Sequence, residues 1–407
     1  MNPWRGLRGL PADVWIIFAT TLVNRAGTMV LPFLALYLTQ QLGYGARRGG
    51  FAITVYGFGS LIGAAAGGRL SDRAGALRVM QLSLVGSGVL LLLVPLASSP
   101  PLVLGLILLW AMTAEAVRPA SLTALSTATA PDQRKAAVAV NRLAINLGMS
   151  IGPAVGGFLA VVSFQLLFVV DALTAIAGAL LLTILLRARP LPVEVDAVAA
   201  AIPATAVLRN RRMLIFMVGI FLVAAMFFQV DAALPLYLVR DLRFPTSIFG
   251  LLFVVNTVLI VVLEIPINLA MAEWPHRRAL VLGALLIAAG FGATAFATRP
   301  LTVALTVVIW TFGEMILLPA SAAYVAELSP ADRQGEYMGA YTMAFGLALM
   351  VGPWTGTFVL ERFGGPVLWA AVSACGACAA GILGVTASAP TPDRQQRVQR
   401  ATWNNRV

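Results

Sequence analysis

Long apolar runs bounded by charge, proline or glycine recur twelve times along this chain. They lie at about 14–38, 50–70, 79–97, 102–127, 137–163, 166–187, 213–238, 246–271, 279–298, 301–326, 336–360 and 366–387. A helix crossing the hydrocarbon of a bilayer needs roughly 20 apolar residues, so each run is long enough to cross. Composition points the same way: 59% of the residues are apolar and 11% charged, where a soluble domain carries about 25% charged residues. Twelve spans with their connections use the 407 residues and leave nothing for a soluble domain. The first run is too long for a signal-peptide core and lacks an A-x-A site, so it is read as retained.

The net charge of +11 would suggest nucleic acid in a soluble protein. Here it follows topology. With an even number of spans both termini share one side, and that side collects twenty of the Lys and Arg residues against six opposite, with Arg25 and Arg118 inside spans. The positive-inside rule assigns the termini to the cytoplasm, and no nucleic-acid partner is needed. The one long polar stretch, about Arg187 to Arg212, contains Pro190, Pro192 and Pro203. It sets the expected organisation: 1–188 an N-terminal six-helix bundle, 189–212 a cytoplasmic linker, 213–390 a C-terminal six-helix bundle, and 391–407 a cytoplasmic tail.

The two halves repeat one another at an interval of two hundred residues. Trp110 begins W-A-M-T-A-E-A-V-R-P-A-S and Trp310 begins W-T-F-G-E-M-I-L-L-P-A-S; Gly152-Pro153 matches Gly352-Pro353, and Tyr37-Leu38 matches Tyr237-Leu238. Six spans between equivalents make this a parallel repeat about an axis along the membrane normal, which suits two bundles rocking around a site between them.

The segment after span 2 reads Gly67-Gly68-Arg69-Leu70-Ser71-Asp72-Arg73-Ala74-Gly75-Ala76-Leu77-Arg78. It resembles the cytoplasmic signature G-x-L-[SA]-D-R-x-G-[RK]-[RK] of the major facilitator superfamily, departing from it at Ala76 and Leu77. Span 5 carries Gly148-Met-Ser-Ile-Gly152-Pro153-Ala-Val-Gly156-Gly157. That pattern resembles the signature of the superfamily's antiporter branch, the proton-coupled drug exporters. The resemblance implies an all-α membrane protein with twelve transmembrane helices in two pseudo-symmetric bundles around a central cavity. It also implies a conformational latch at Gly68, Asp72, Arg73, Gly75 and Arg78. The second copy, 268–278, has Ala272 where Asp72 would repeat. Gly148, Gly152 and Gly156 remove side chains from one helix face for close packing, with Pro153 bending the segment.

Ionisable residues at membrane depth are costly, roughly 2.5–3.5 kcal/mol each at a helix centre on insertion scales, and so mark function. Arg25 lies in span 1 beside Asn24, Glu115 and Arg118 in span 4, Asp231 in span 7, Glu264 in span 8 and Glu314 in span 10. Asp171, nearer the end of span 6, is expected to cap or pack. Glu115 and Arg118 are three apart and can pair on one helix face. Asp231 and Glu314 have no cation three or four residues away, and a carboxyl held in a low-dielectric cavity can exchange protons near neutral pH. The expected coupling set is therefore Asp231, Glu314, Glu264, Glu115 and Arg118. An acid-rich cavity with Asn24, Arg25, Tyr37, Tyr56, Phe227, Phe228 and Met315 would suit an amphipathic or cationic cargo. Phe33, Phe253, Tyr341 and Met226 are further aromatic and methionine positions nearby.

Other chemistry is short of parts. His276 is the only histidine and Lys135 the only lysine, so neither a membrane Ser-His dyad nor a Walker phosphate loop is available. Cys375 and Cys378 sit in a small-residue run and read as helix packing. The chain is thus expected to be no enzyme, to carry no cofactor or metal, and to act as a monomer on small-molecule cargo, protons and membrane lipid. An ion gradient would drive it in the bacterial cytoplasmic (inner) membrane. Proton-coupled export is the leading expectation. An uptake symporter, with Arg25 and Arg118 clamping an anionic solute, and a lipid flippase remain alternatives; a channel fits duplicated halves less well.

Overall fold

The computed structural model describes residues 9–130, 133–186, 207, 209–271, 273–330 and 333–387. The 391–407 tail and most of the 189–212 linker, like Ala272, lie outside the described residues. Twelve helices are long and apolar enough to cross a membrane: Ala12–Gln40, Ala46–Ala74, Ala76–Leu96, Pro100–Ala128, Ala136–Val162, Phe164–Leu185, Arg211–Asp231, Thr246–Ala270, His276–Phe296, Pro300–Leu328, Gln334–Phe363 and Gly365–Thr386. They are spans 1 to 12 below, with span 7 taken on through the helical turns that follow it to Asp241. Among the described residues there is no strand.

Among the described residues, two spans are interrupted part-way along. Span 1 is α-helical over Ala12–Gly27, leaves helical geometry at Thr28 and Met29, and resumes over Val30–Gln40. Span 7 is α-helical over Arg211–Phe227, tightens to a 3-10 turn over Phe228–Asp231, and continues as a short helix Ala233–Leu236 and a π-helical turn Tyr237–Asp241. Apolarity alone read 14–38 and 213–238 as single runs, because hydropathy carries no information about backbone dihedrals. The breaks fall at repeat-equivalent positions, Thr28 and Phe228.

Contacts cluster the chain into two compact units. The first contains Met1–Ala197, Val230–Thr257 and Pro353–Glu361; the second contains Val198–Gln229, Val258–Gly352 and Arg362–Val407. Spans 7, 8 and 11 are therefore each shared between units.

In the first unit, span 2 lies against span 4 along Gly59, Gly63 and Gly67. A methyl group on Gly59 would stand 2.6 Å from the Leu108 carbonyl oxygen, and one on Gly67 2.7 Å from the Ala116 Cα. Backbone meets backbone there, the packing that association in lipid relies on. Val14, Ile17, Met80, Leu84, Ala120, Ala137 and Leu182 form a buried core joining spans 1, 3, 4, 5 and 6. The C-terminal parts of spans 7 and 11 and the N-terminal part of span 8 belong to the same unit: Phe33 meets Phe249 edge-on at 5.2 Å, a Cβ on Gly157 would lie 2.9 Å from the Gly250 Cα, and the Arg47 N–H donates to Glu361 Oε2 at 2.8 Å.

In the second unit, Gly283, Gly290 and Gly313 bring spans 9 and 10 into backbone contact. Phe291 stacks between Trp310 and Trp369, at centroid distances of 5.6 and 6.2 Å. His276 Nε2 lies 2.7 Å from Glu327 Oε2, joining the start of span 9 to the end of span 10.

Candidate functional site

The break in span 1 is held from two sides. Span 5 presents Gly148, Gly152 and Gly156 to it: Cβ atoms there would meet the Ala26 nitrogen at 2.8 Å, the Thr28 carbonyl oxygen at 2.5 Å and the Met29 Cβ at 2.9 Å. The span 5 signature is thus packing, and what it packs is the interruption. Pro153 lies within an unbroken α-helix, Arg134–Val162. From span 6, Asp171 Oδ2 accepts from the N–H groups of Met29 and Val30, both at 3.2 Å. Those two donors open the second segment of span 1, Val30–Gln40, and lack intrahelical acceptors. Asp171 therefore caps, but from within span 6, whose helix begins at Phe164, and for a segment of another span; it does so at 4% exposure.

Beside the break, on the first segment of span 1, Ala12–Gly27, lies a cleft lined by Thr20, Asn24, Arg25, Val117, Arg118, Ser121 and neighbours. It brings together two of the expected cavity residues, Asn24 and Arg25, with Arg118. Among the described residues of this unit, neither guanidinium has a carboxylate within 4.0 Å. The hydroxyl of Thr20, on the same wall, is buried without a hydrogen-bond partner.

The expected pairing of Glu115 with Arg118 is not formed. Glu115 Oε1 instead accepts from the Tyr56 hydroxyl on span 2 at 3.2 Å. Spacing of three residues allows an intrahelical pair but does not compel it when another helix offers a donor. Tyr56 is accordingly buried, its ring 4.9 Å from that of Trp110.

Several cavity expectations resolve into packing. Tyr37 is 3% exposed, its ring 4.7 Å from Phe168. Met315 is 1% exposed and Met226 2%. Phe227 and Phe228 are half-buried at the span 7 break, Phe227 meeting Trp310 edge-on at 5.7 Å. Aromatics and methionines at helical spacing fill interiors as readily as they line cavities, and the sequence carries no sign to separate the two.

Of the acids, Asp231 closes the 3-10 turn that interrupts span 7. It is half-buried, and among the described residues of its unit no hydrogen bond or ion pair involves its side chain. Glu264 is half-buried in span 8, where its carbonyl accepts from Asn268. Glu314 is half-buried in span 10, one residue past the closely packed Gly313. Asp231 belongs to the first unit, and Glu264 and Glu314 to the second.

In the expected latch, Gly75 has φ +89°, a conformation that favours glycine, and it ends span 2. Asp72, Arg73 and Arg78 are exposed. Gly68 makes no close approach, since a Cβ there meets nothing within 4 Å. Gly67 does instead, because one residue is a 100° turn of the helix and only one of two adjacent glycines faces span 4. The stripe Gly59, Gly63, Gly67 was present in the sequence as glycines four apart and was the signal for this contact.

A profile described as Major Facilitator Superfamily matches residues 16–262 and 216–406 of the chain. The chain belongs to this superfamily. The chain is similar to a Na(+), Li(+), K(+)/H(+) antiporter of Planococcus maritimus, 25% identical over 370 residues that cover 81% of this chain and 85% of that protein. The multidrug resistance protein MdtH of Aeromonas hydrophila is 25% identical over 338 residues, covering 80% and 81%. In fold the chain is similar to the crystal structure of the nucleoside transporter NupG, with a TM-score of 0.78 at 13% identity, covering 94% of this chain and all of that one. The protein is an integral membrane secondary transporter of the superfamily, all-helical with twelve apolar helices.

Proposed function

We propose that this chain exports small amphipathic or cationic compounds in exchange for protons, by alternating access between two six-helix bundles with both termini in the cytoplasm. One observation carries the reading: Asp231 stands at the helical interruption of span 7, without an ion-pair partner among the described residues of its unit. Discontinuous helices at corresponding positions of two repeats point to binding sites in transporters. An ionisable group at that depth is kept for function rather than stability. Relatives named as a cation/proton antiporter and a multidrug resistance protein agree in direction. Glu314 and Glu264 are the further acids assigned to coupling.

Proteoliposomes test this. An imposed proton gradient should drive cationic amphipathic dyes against the direction of proton flow, and Asp231→Asn or Glu314→Gln should uncouple the two. Wild-type coupling in both variants would remove these acids from the mechanism. Cargo accumulating in the same direction as protons would make the protein a symporter.

A second reading has its own observation. Arg25 and Arg118 share a cleft without carboxylate partners, an arrangement suited to an anionic solute, and the similar nucleoside transporter fold is compatible with other cargo classes. Competition by anionic rather than cationic compounds, lost in Arg118→Ala, would favour it.

A further inference from the structure

The two helix breaks, equivalent by the repeat, are stabilised by unlike chemistry. In the second unit, the break of span 7 is tied by Gln229, whose amide donates to the carbonyls of Ala225 and Gly352, each at 2.9 Å. An amide does not titrate. In the first unit the residue at the same register is Met29, and the tie comes from outside the span, from Asp171 on span 6. Span 6's counterpart, span 12, has Ala371 at that register. One repeat thus closes its break with a fixed amide, and the other with a group that can gain or lose a proton.

Asp171 is also the only side chain among the described residues that accepts from the Met29 and Val30 N–H groups. The residue before the break, Gly27, is pressed against Thr174 one turn further along span 6, and the Thr174 hydroxyl donates to the Asp171 carbonyl at 2.9 Å. The break therefore has little freedom while the cap is in place. A carboxylate accepts two N–H bonds with full charge. The neutral acid is a weaker acceptor and carries a donor of its own.

We propose that Asp171 is a positioning residue for transport: as a carboxylate it locks the break of span 1, and on taking up a proton it loosens it, freeing the first segment with Asn24 and Arg25 to move relative to the second. This rests on the proton-coupled reading above and adds to it the element through which a proton acts. The charged and titratable groups around Asp171 are few. Arg25 on span 1 and Tyr56 on span 2 are within electrostatic reach, with Glu115 of span 4 behind Tyr56, and Tyr37 packs one turn away on Phe168. Spans 3 and 5, also packed on span 6, carry Arg78, Arg134, Lys135 and Arg142. These lie toward the ends of their spans away from Gly148–Gly156, the part of span 5 that reaches the break.

Amide hydrogen exchange of the full-length protein in lipid nanodiscs tests the proposal without knowing the cargo. In the wild type, protection of the 24–33 segment, corrected for the intrinsic pH dependence of exchange, should fall about tenfold from the alkaline to the acid side of neutrality, the loss expected for a bond to a charged acceptor. Asp171→Asn, the same shape without the proton, should show lowered protection that does not change with pH. Wild-type protection independent of pH, or a wild-type pH response in Asp171→Asn, would overturn the proposal. The wild-type measurement needs no variant, so poor folding of Asp171→Asn does not shield the idea. Asp231→Asn should leave this response intact while abolishing proton-driven cargo movement, so the exchange response and the exporter reading can fail separately.

Discussion

The side-chain amide of Gln229 donates to the carbonyl oxygen of Gly352 at 2.9 Å, in the buried contact between span 7 and span 11 where a Cβ on Gly352 would stand 2.6 Å from the Ala225 carbonyl oxygen. The amide's other end is less well served: Gln229 Oε1 is buried with no hydrogen-bond partner. An apolar side chain here relieves the orphaned oxygen but takes a donor from the Ala225 and Gly352 carbonyls, so the two effects offset one another in part. Gln229→Met, which places here the residue found at the equivalent position 29, should change stability by less than about 1 kcal/mol. Gln229→Glu, which can bury a charge, should cost several times more. Thermal unfolding in detergent distinguishes them.

Adjacent glycines in the latch segment differ in consequence. Gly67→Ala forces a methyl group into the Ala116 backbone and should destabilise by about 1–3 kcal/mol, as overpacking does. Gly68→Ala meets nothing within 4 Å and should be neutral or stabilise by up to about 1 kcal/mol through helix propensity. Equal effects on the melting temperature of the two variants would contradict the packing described for span 2.

The alternative partners of Glu115 can be separated by double-mutant cycles. Tyr56→Phe with Glu115→Ala should show a coupling above about 0.5 kcal/mol, since the hydroxyl donates to a carboxylate. Glu115→Ala with Arg118→Ala should give a coupling smaller than that for the Tyr56 pair. The reverse order would restore the intrahelical ion pair.

Within the first unit, Gly157 and Gly250 pack without side chains between them, and Phe249 beside them is 1% exposed. A β-branched residue at 157 cannot fit that contact. Gly157→Val should therefore expose position 249: a cysteine placed there, with Cys375 and Cys378 removed, should react with a membrane-impermeant thiol reagent at least about tenfold faster than in the parent, the shift that about 1.4 kcal/mol of bias gives. No change in rate would mean that the glycine contact does not hold this end of the unit closed.

Much of the architecture was legible from residue type alone. Twelve apolar runs, the two-hundred-residue repeat and the glycine-rich signatures specify a twelve-helix transporter, because lipid imposes length and apolarity on every crossing segment. The site was legible only in part. Arg25, Arg118 and Asn24 share a cleft, yet Glu115, able by its spacing to pair with Arg118, bonds Tyr56 instead, and Tyr37 and Met315, expected to line a cavity, are buried. Each miss concerns direction: spacing limits which helix face a side chain occupies, and the neighbouring helix decides what that face meets.

The amino-acid sequence on its own determined the lipid environment, the number of crossings and the duplication, since these follow from transfer energies summed over twenty residues at a time. Tertiary structure alone decided that spans 1 and 7 break at matching positions, and that Asp171 answers for one break and Gln229 for the other. Unsatisfied backbone groups at a helix interruption must find partners nearby in low dielectric, and which side chain comes within 3.2 Å of them is fixed by how helices far apart in the chain are packed.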